Sequence, residues 1–293
     1  MLLALAVLWG GSFFFVAVAL PSLPPLTIVF GRVALAAPVL AVACLAFGLA
    51  LPRGRAAWIA CAGMGLLNNA IPFTLIVLGQ RFIPSGLAAV VNAATPVFAV
   101  LAAQALTADE KLTPNRLGGA LVGLAGVAIL VGPAAFDGGR DGEGEALGIL
   151  LCLGACLSYG LTGVWARRVK RAGLAPLPAA AGQCACSTLM LLPLALVFDQ
   201  PWSLPAPGAG ALAALLALGL LSTALAYALF FAILAGAGGT NAMLVTLLVP
   251  VTALLLGALV LGEALAARHL LGMAVIAAGL LAIDGRVLPV TAR

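Results

Sequence analysis

Arg32 stands about six residues into a long apolar run that begins near Leu26. A guanidinium stays charged in proteins, so water, a partner or a ligand must offset the cost of placing it there. Two readings follow. Lining a cavity, Arg32 would favour a carboxylate or another anion through charge-assisted hydrogen bonds. Its long stem could instead let it snorkel to the membrane surface and anchor the segment. No acidic residue shares its run.

Other polar side chains also interrupt apolar runs. Asn68 and Asn69 precede Pro72, which removes a backbone donor and can kink a helix. The freed carbonyls and the two amides could face a water-filled path or join neighbouring helices. Asn92, Thr95 and Pro96 form a comparable break, and Thr246 with Pro250 repeats it, which favours a hinge or cavity-lining role. Trp9, Tyr159 and Tyr227 could stack on an aromatic or apolar solute, with Gln183 and Gln104 as secondary candidates. Trp58 and Trp202 read as membrane-belt residues.

Glu110 and Glu263 each close an apolar run, Glu110 beside Lys111 and Glu263 five residues before Arg268. They read as structural acids that cap or pair at turns. No other carboxylate lies deep in a run, so proton coupling has no obvious carrier; exchange and facilitated diffusion stay open. All six cysteines sit in apolar runs and read as small buried hydrophobes. His269, the single histidine, opens the last run and reads as interfacial. No metal site or cofactor is expected.

The composition says what must position these residues. Of 293 residues, 64% are hydrophobic and 8% charged, with a mean hydropathy of +1.24. Soluble domains carry about 25% charge, so this chain cannot cover a water-facing surface. A soluble enzyme, a nucleic-acid binder and a disordered regulator are excluded on that ground. Crossing a bilayer takes about 20 apolar residues per helix. Ten runs approach that length: Leu2–Leu20, Leu26–Leu49, Ala57–Leu78, Ser85–Leu106, Asn115–Val131, Ala146–Ala166, Pro178–Phe198, Ala209–Leu234, Asn241–Leu261 and His269–Ile283. Helices are required, because open sheet edges cannot sit in lipid. The first run lacks a basic leader and reads as an uncleaved helix. The stretch Asp137–Glu145 is the longest polar connection. No phosphate-binding GxxxxGK[ST] loop occurs, so ATP hydrolysis would need a partner.

Basic residues set the expected orientation. With a cytoplasmic N-terminus, ten lie inside (Arg53, Arg55, Lys111, Arg116, Arg167, Arg168, Lys170, Arg171, Arg286 and Arg293) and three outside (Arg81, Arg140 and Arg268). Both termini are then cytoplasmic, and Asp137–Glu145 faces the exterior.

The chain also repeats itself. Pro96 matches Pro250, Glu110 matches Glu263, Gly119 matches Gly272, and Gly126 matches Gly279. Weaker matches join Arg32 to Gln183, Phe73 to Tyr227, and Trp9 to Tyr159. Each half holds five runs, an odd number, so the halves, 1–133 and 146–284, are expected to be inserted in opposite senses. Ten transmembrane helices in two inverted repeats are the architecture of alternating access.

These paired Pro–Glu–Gly blocks, with Trp9-Gly-Gly-Ser-Phe-Phe14 in the first run, resemble the EamA family of the drug/metabolite transporter superfamily. Arg32 falls where that family recurrently carries an arginine. The resemblance implies an inner-membrane permease and secondary carrier, not an enzyme, with export of an amino acid or related metabolite as the leading task. Channel-like uniport of a small neutral solute, a membrane-embedded enzyme, and a flippase-like carrier are the alternatives. The expected partners are a small-molecule substrate and the lipid bilayer, with no nucleic acid; whether the chain forms a homodimer is open.

Overall fold

A computed structural model describes residues 1–107, 114–131, 140–243 and 245–284. Every long element among them is a helix. Seven helices are long and apolar enough to cross a membrane. They are α1 (Leu2–Ala19), α2 (Pro25–Ala46), α3 (Gly54–Gly79), α4 (Ser85–Leu106), α6 (Arg140–Arg171), α7 (Pro176–Asp199) and α8 (Ala209–Leu234, continuing as helix to Met243). Between and after them lie α5 (Pro114–Val131), α9 (Val245–Leu261) and α10 (Ala267–Asp284), whose apolar stretches are shorter. The chain is an all-α, multi-pass membrane protein. Large apolar side chains such as Leu3, Phe47, Phe198 and Leu259 point outward, as they must where the solvent is lipid.

Glycine sets how closely the helices approach. A Cβ on Gly10 of α1 would run into Thr252 of α9 and lie 2.8 Å from the Val249 carbonyl. A Cβ on Gly160 of α6 would lie 2.8 Å from the Phe98 carbonyl of α4. At Gly65 of α3 it would meet the Gln183 carbonyl of α7 at 2.8 Å, and at Gly219 of α8 the Arg32 carbonyl of α2 at 3.1 Å. The helices accordingly pack α1 on α9, α6 on α4, α3 on α7, α8 on α2, and α5 on α10.

Two departures from the sequence reading have physical causes. The polar stretch expected as a loop over Asp137–Glu145 is helical from Arg140. Glu145 stands in the second turn and pairs with Arg268 and His269, which ties the start of α6 to α10. Second, the fourth and ninth runs break differently. Helix α4 is interrupted at Ala93–Ala94, with the Thr95 hydroxyl donating to the Asn92 carbonyl at 2.8 Å and Pro96 entering the next helical segment. Pro250 instead lies inside the continuous helix α9. His269, near the start of α10, is buried beside Glu145. Trp58 and Trp202 are exposed, and all six cysteines are buried and free.

Candidate functional site

Two of the spanning helices depart from α geometry at their middles. Residues Gly65–Ala70 of α3 and Leu220–Leu225 of α8 form π turns. A wider turn shifts the backbone hydrogen bonds and leaves carbonyls for side chains, which is why such turns collect at functional sites. The Thr223 hydroxyl donates to the Leu218 carbonyl at 2.7 Å. On the other helix, the Leu67 carbonyl accepts from Ser158 of α6 at 2.7 Å. The Gly65 carbonyl lies 3.0 Å from the Ser187 hydroxyl of α7.

Arg32 points into this belt. It is only 8% exposed, so the snorkelling position open in the sequence reading is not the one taken. Its Nε donates to Thr223 Oγ1 at 2.8 Å. The guanidinium carbon stands 3.7 Å from the centre of the Phe73 ring, close enough for cation–π attraction. Tyr159, Tyr227 and Cys184 stand in the same neighbourhood. The carboxylates with described side chains are all held elsewhere, at helix ends. Glu145 binds Arg268 and His269, Asp199 binds Thr27, and Glu263 binds Ser85 and Gly86. Among these described residues, Arg32 has no carboxylate partner.

Next to the arginine lies an amide and hydroxyl network. Tyr227 donates to Asn69 Oδ1 at 2.9 Å and accepts from Asn68 Nδ2 at 3.1 Å. Asn69 Nδ2 donates to Ser187 at 3.1 Å. Gln183 is buried one turn before Ser187 on α7, its carbonyl accepting from the Ser187 hydroxyl at 2.6 Å. The two asparagines of α3 therefore join α7 and α8. Aromatic rings extend the belt: Tyr227 stacks on Phe231 with centroids 6.2 Å apart, and Trp9 meets Phe230 at 5.4 Å.

The structure thus gathers Arg32, Asn68, Asn69, Tyr159, Gln183 and Tyr227 into one region, with Trp9 reaching it through the aromatic rings. Asn92 and Thr95 lie at the α4 break, where the Cys156 thiol, one turn from Tyr159, donates to the Val91 carbonyl at 3.4 Å. The Asn92 Oδ1 is buried without a hydrogen-bond partner. Gln104 is exposed and Thr246 half-buried. Glu110 lies outside the described residues. Glu263 does not pair with Arg268, as its spacing suggested. It accepts from Ser85 and Gly86 across the bundle, and Arg268 takes Glu145 instead.

Thr223, Ser187 and Phe73 complete the site and were not singled out as site residues from sequence. A signal existed for Thr223: it follows Asn69 by 154 residues, the offset that relates Phe73 to Tyr227.

A profile of the EamA-like transporter family matches residues 1–132 and again 146–283. A "Probable amino-acid metabolite efflux pump" of Salmonella typhimurium is 28% identical over 289 residues, 95% of this chain and 91% of that protein. An "Uncharacterized inner membrane transporter" of Escherichia coli is 28% identical over 169 residues, 57% of this chain and 52% of the relative. A solved crystal structure superposes with a TM-score of 0.66 at 22% identity, covering 97% of this chain and 94% of the other, and so shares the fold. The chain belongs to the EamA-like transporter family, within the drug/metabolite transporter superfamily, and is a secondary transporter of a small solute rather than an enzyme.

Proposed function

We propose that this EamA-family permease exports an amino acid or a related carboxylate-bearing metabolite across the inner membrane by alternating access, with Arg32 as the carboxylate contact. The observation that carries the reading is the buried guanidinium of Arg32, which has no carboxylate partner among the described residues and sits among aromatic rings and amides. A ligand carboxylate would supply the missing charge. Gln183, Asn68, Asn69, Tyr159 and Tyr227 would surround the ligand, and Trp9 would close an apolar wall. Asn92, Thr95 and Thr246 would line the path beyond. Pro72, Pro96 and Pro250 are assigned as hinges, and Glu110 and Glu263 as structural acids. The Salmonella relative's name supports an amino-acid-related cargo, and the Escherichia coli relative's name an inner-membrane location.

Alternating access rests on an inverted-repeat design of ten helices, residues 1–133 against 146–284. Support comes from interchanged pairs. Gly10 seats α9 on α1 as Gly160 seats α4 on α6, an offset of 150 residues. Gly65 touches the carbonyl of Gln183 as Gly219 touches that of Arg32, and the π turns are offset by 155. The twofold family match supports the same division.

The test is transport in proteoliposomes at matched protein amounts. Arg32→Lys keeps the charge but loses the planar fork, so transport of a carboxylate solute should fall substantially. Arg32→Gln should abolish it. Wild-type affinity and rate in a properly inserted Arg32→Gln protein would remove the anion-binding role. Trans-acceleration by substrate on the far side would separate a carrier cycle from a channel.

A further inference from the structure

We infer that the exported solute is a monocarboxylate lacking an ammonium group, such as a 2-oxo acid with an apolar side chain, rather than a zwitterionic amino acid. The inference rests on the carboxylate-export reading and narrows its cargo. It starts from where the described residues place charge. Among the described residues, Arg32 is the one charge set in the middle of a helix, whereas the acids with described side chains lie in the second turn of α6, at the last residue of α7 and in the turn after α9. Glu145, Asp199 and Glu263 are bound at helix ends. Among the described residues, the belt around Arg32 therefore carries one positive charge and no negative one.

A monoanion brings that belt to zero. A zwitterion leaves it at plus one and adds an ammonium that water no longer solvates once the site closes. An unpaired buried charge is among the most costly things a protein can hold, and a carrier must reorient with its site closed. Leucine and 4-methyl-2-oxopentanoate share a carbon skeleton, so that difference separates them.

Hydrogen-bonding capacity agrees. An ammonium needs acceptors, and Thr223 Oγ1, the Tyr227 oxygen and Asn69 Oδ1 are each already engaged. Thr223 Oγ1 accepts from Arg32 and gives its own proton to Leu218. The Tyr227 oxygen accepts from Asn68, and Asn69 Oδ1 accepts from Tyr227. With Nε spent on Thr223, the two terminal guanidinium nitrogens remain as a fork suited to a carboxylate. Phe73 beneath the guanidinium and the Tyr227–Phe231 stack would face an apolar side chain.

The charge argument also fixes an electrical signature. Uncoupled export of a monoanion moves one negative charge per cycle, while export of a zwitterion moves none. The experiment loads proteoliposomes of the full chain with phenylpyruvate or phenylalanine, and with 4-methyl-2-oxopentanoate or leucine. A potassium gradient with valinomycin sets the membrane potential. Each oxo acid should leave about tenfold faster than its amino acid, the scale of one charged hydrogen bond. Its efflux should quicken when the interior is negative, and Arg32→Gln should abolish the movement. Arg32-dependent, potential-insensitive export of the amino acids at equal or higher rate overturns the narrowing and leaves the carboxylate reading standing. Export of both members of each pair unchanged in Arg32→Gln overturns the carboxylate reading as well. Failure of both oxo acids to move overturns the narrowing.

Discussion

The carboxylate of Glu263 accepts the backbone N–H of Ser85 at 2.8 Å and its hydroxyl at 2.9 Å, although 178 residues separate them. It also takes the Gly86 N–H at 2.9 Å. Helix α4 starts at Ser85 after Pro84, so the capping acceptor comes from the α9–α10 turn rather than from its own chain neighbours. Asp199, the last residue of α7, does the same for α2, accepting the N–H and hydroxyl of Thr27 at 2.6 and 2.9 Å. A negative charge at a helix N-terminus is favourable both to the open donors and to the helix dipole.

Glu263→Ala should therefore strand the Ser85 and Gly86 donors and cost about 1–3 kcal/mol, the range for a buried donor left unmade. Glu263→Gln keeps an acceptor without the charge and should lose less. Thermal unfolding of the purified protein in detergent measures both. An unchanged midpoint for Glu263→Ala would mean that the cap contributes nothing to stability.

The contact between α5 and α10 makes a second prediction. A Cβ on Gly279 would lie 2.6 Å from the Gly119 carbonyl and 2.7 Å from the Gly123 nitrogen, both backbone atoms that cannot step aside. Gly279→Ala should destabilise by about 1–3 kcal/mol through overpacking. At Gly118, on the exposed side of α5, a Cβ meets nothing within 4 Å. Gly118→Ala should be neutral or stabilise by up to about 1 kcal/mol through helix propensity. Equal shifts in the two variants would show that the close approach does not hold the pair.

How much of this was legible in the sequence depended on the range of the interaction. The apolar runs were plain because lipid acts on each helix separately, and Arg32 stood out because a charge in such a run is rare. Glu263 was legible as a structural acid at a turn, but its partner lay 178 residues away and Arg268 was nearer in the chain. Thr223 was overlooked because a hydroxyl in a membrane helix is ordinary; its 154-residue offset from Asn69 gains meaning only beside its contact with Arg32. The π turns were not readable, because Ser187 and Ser158, which take up carbonyls of Gly65–Ala70, come from other helices. The start of α6 was misread because a Gly-rich acidic stretch lacks helix signals until Glu145 meets Arg268 and His269.

The network at Tyr227 supports a coupling experiment. Its hydroxyl bonds both asparagines of α3, so Tyr227→Phe leaves Asn69 Oδ1 without that donor in a buried place. Each of Tyr227→Phe and Asn69→Leu should lower stability by about 1–3 kcal/mol. The double variant should lose less than the sum by about 0.5 kcal/mol or more, since the second change removes a partner already lost. Additive losses in a thermal or denaturant series would show that the two side chains act independently.

The last prediction concerns orientation. The turn between α7 and α8 holds no basic residue, whereas the segment before α7 carries Arg167, Arg168, Lys170 and Arg171. Positive residues are retained on the cytoplasmic side, so Ser203 is expected outside and Ala175 inside. Both positions are exposed on the protein surface, so a new thiol at either would be open to reagent. Ala175 is preferred to neighbouring Gly173, whose φ of +67° would strain a cysteine. Native labelling should be low, because all six cysteines are buried. In intact cells a membrane-impermeant maleimide should modify Ser203→Cys and leave Ala175→Cys untouched until the membrane is opened. Thr27–Asp199, Ser85–Glu263 and Glu145–Arg268 all lie at the Ser203 end of the bundle, so the same result would assign those contacts to the exterior face. Labelling of Ala175→Cys in intact cells with Ser203→Cys protected would reverse the orientation and move the three contacts to the cytoplasmic face.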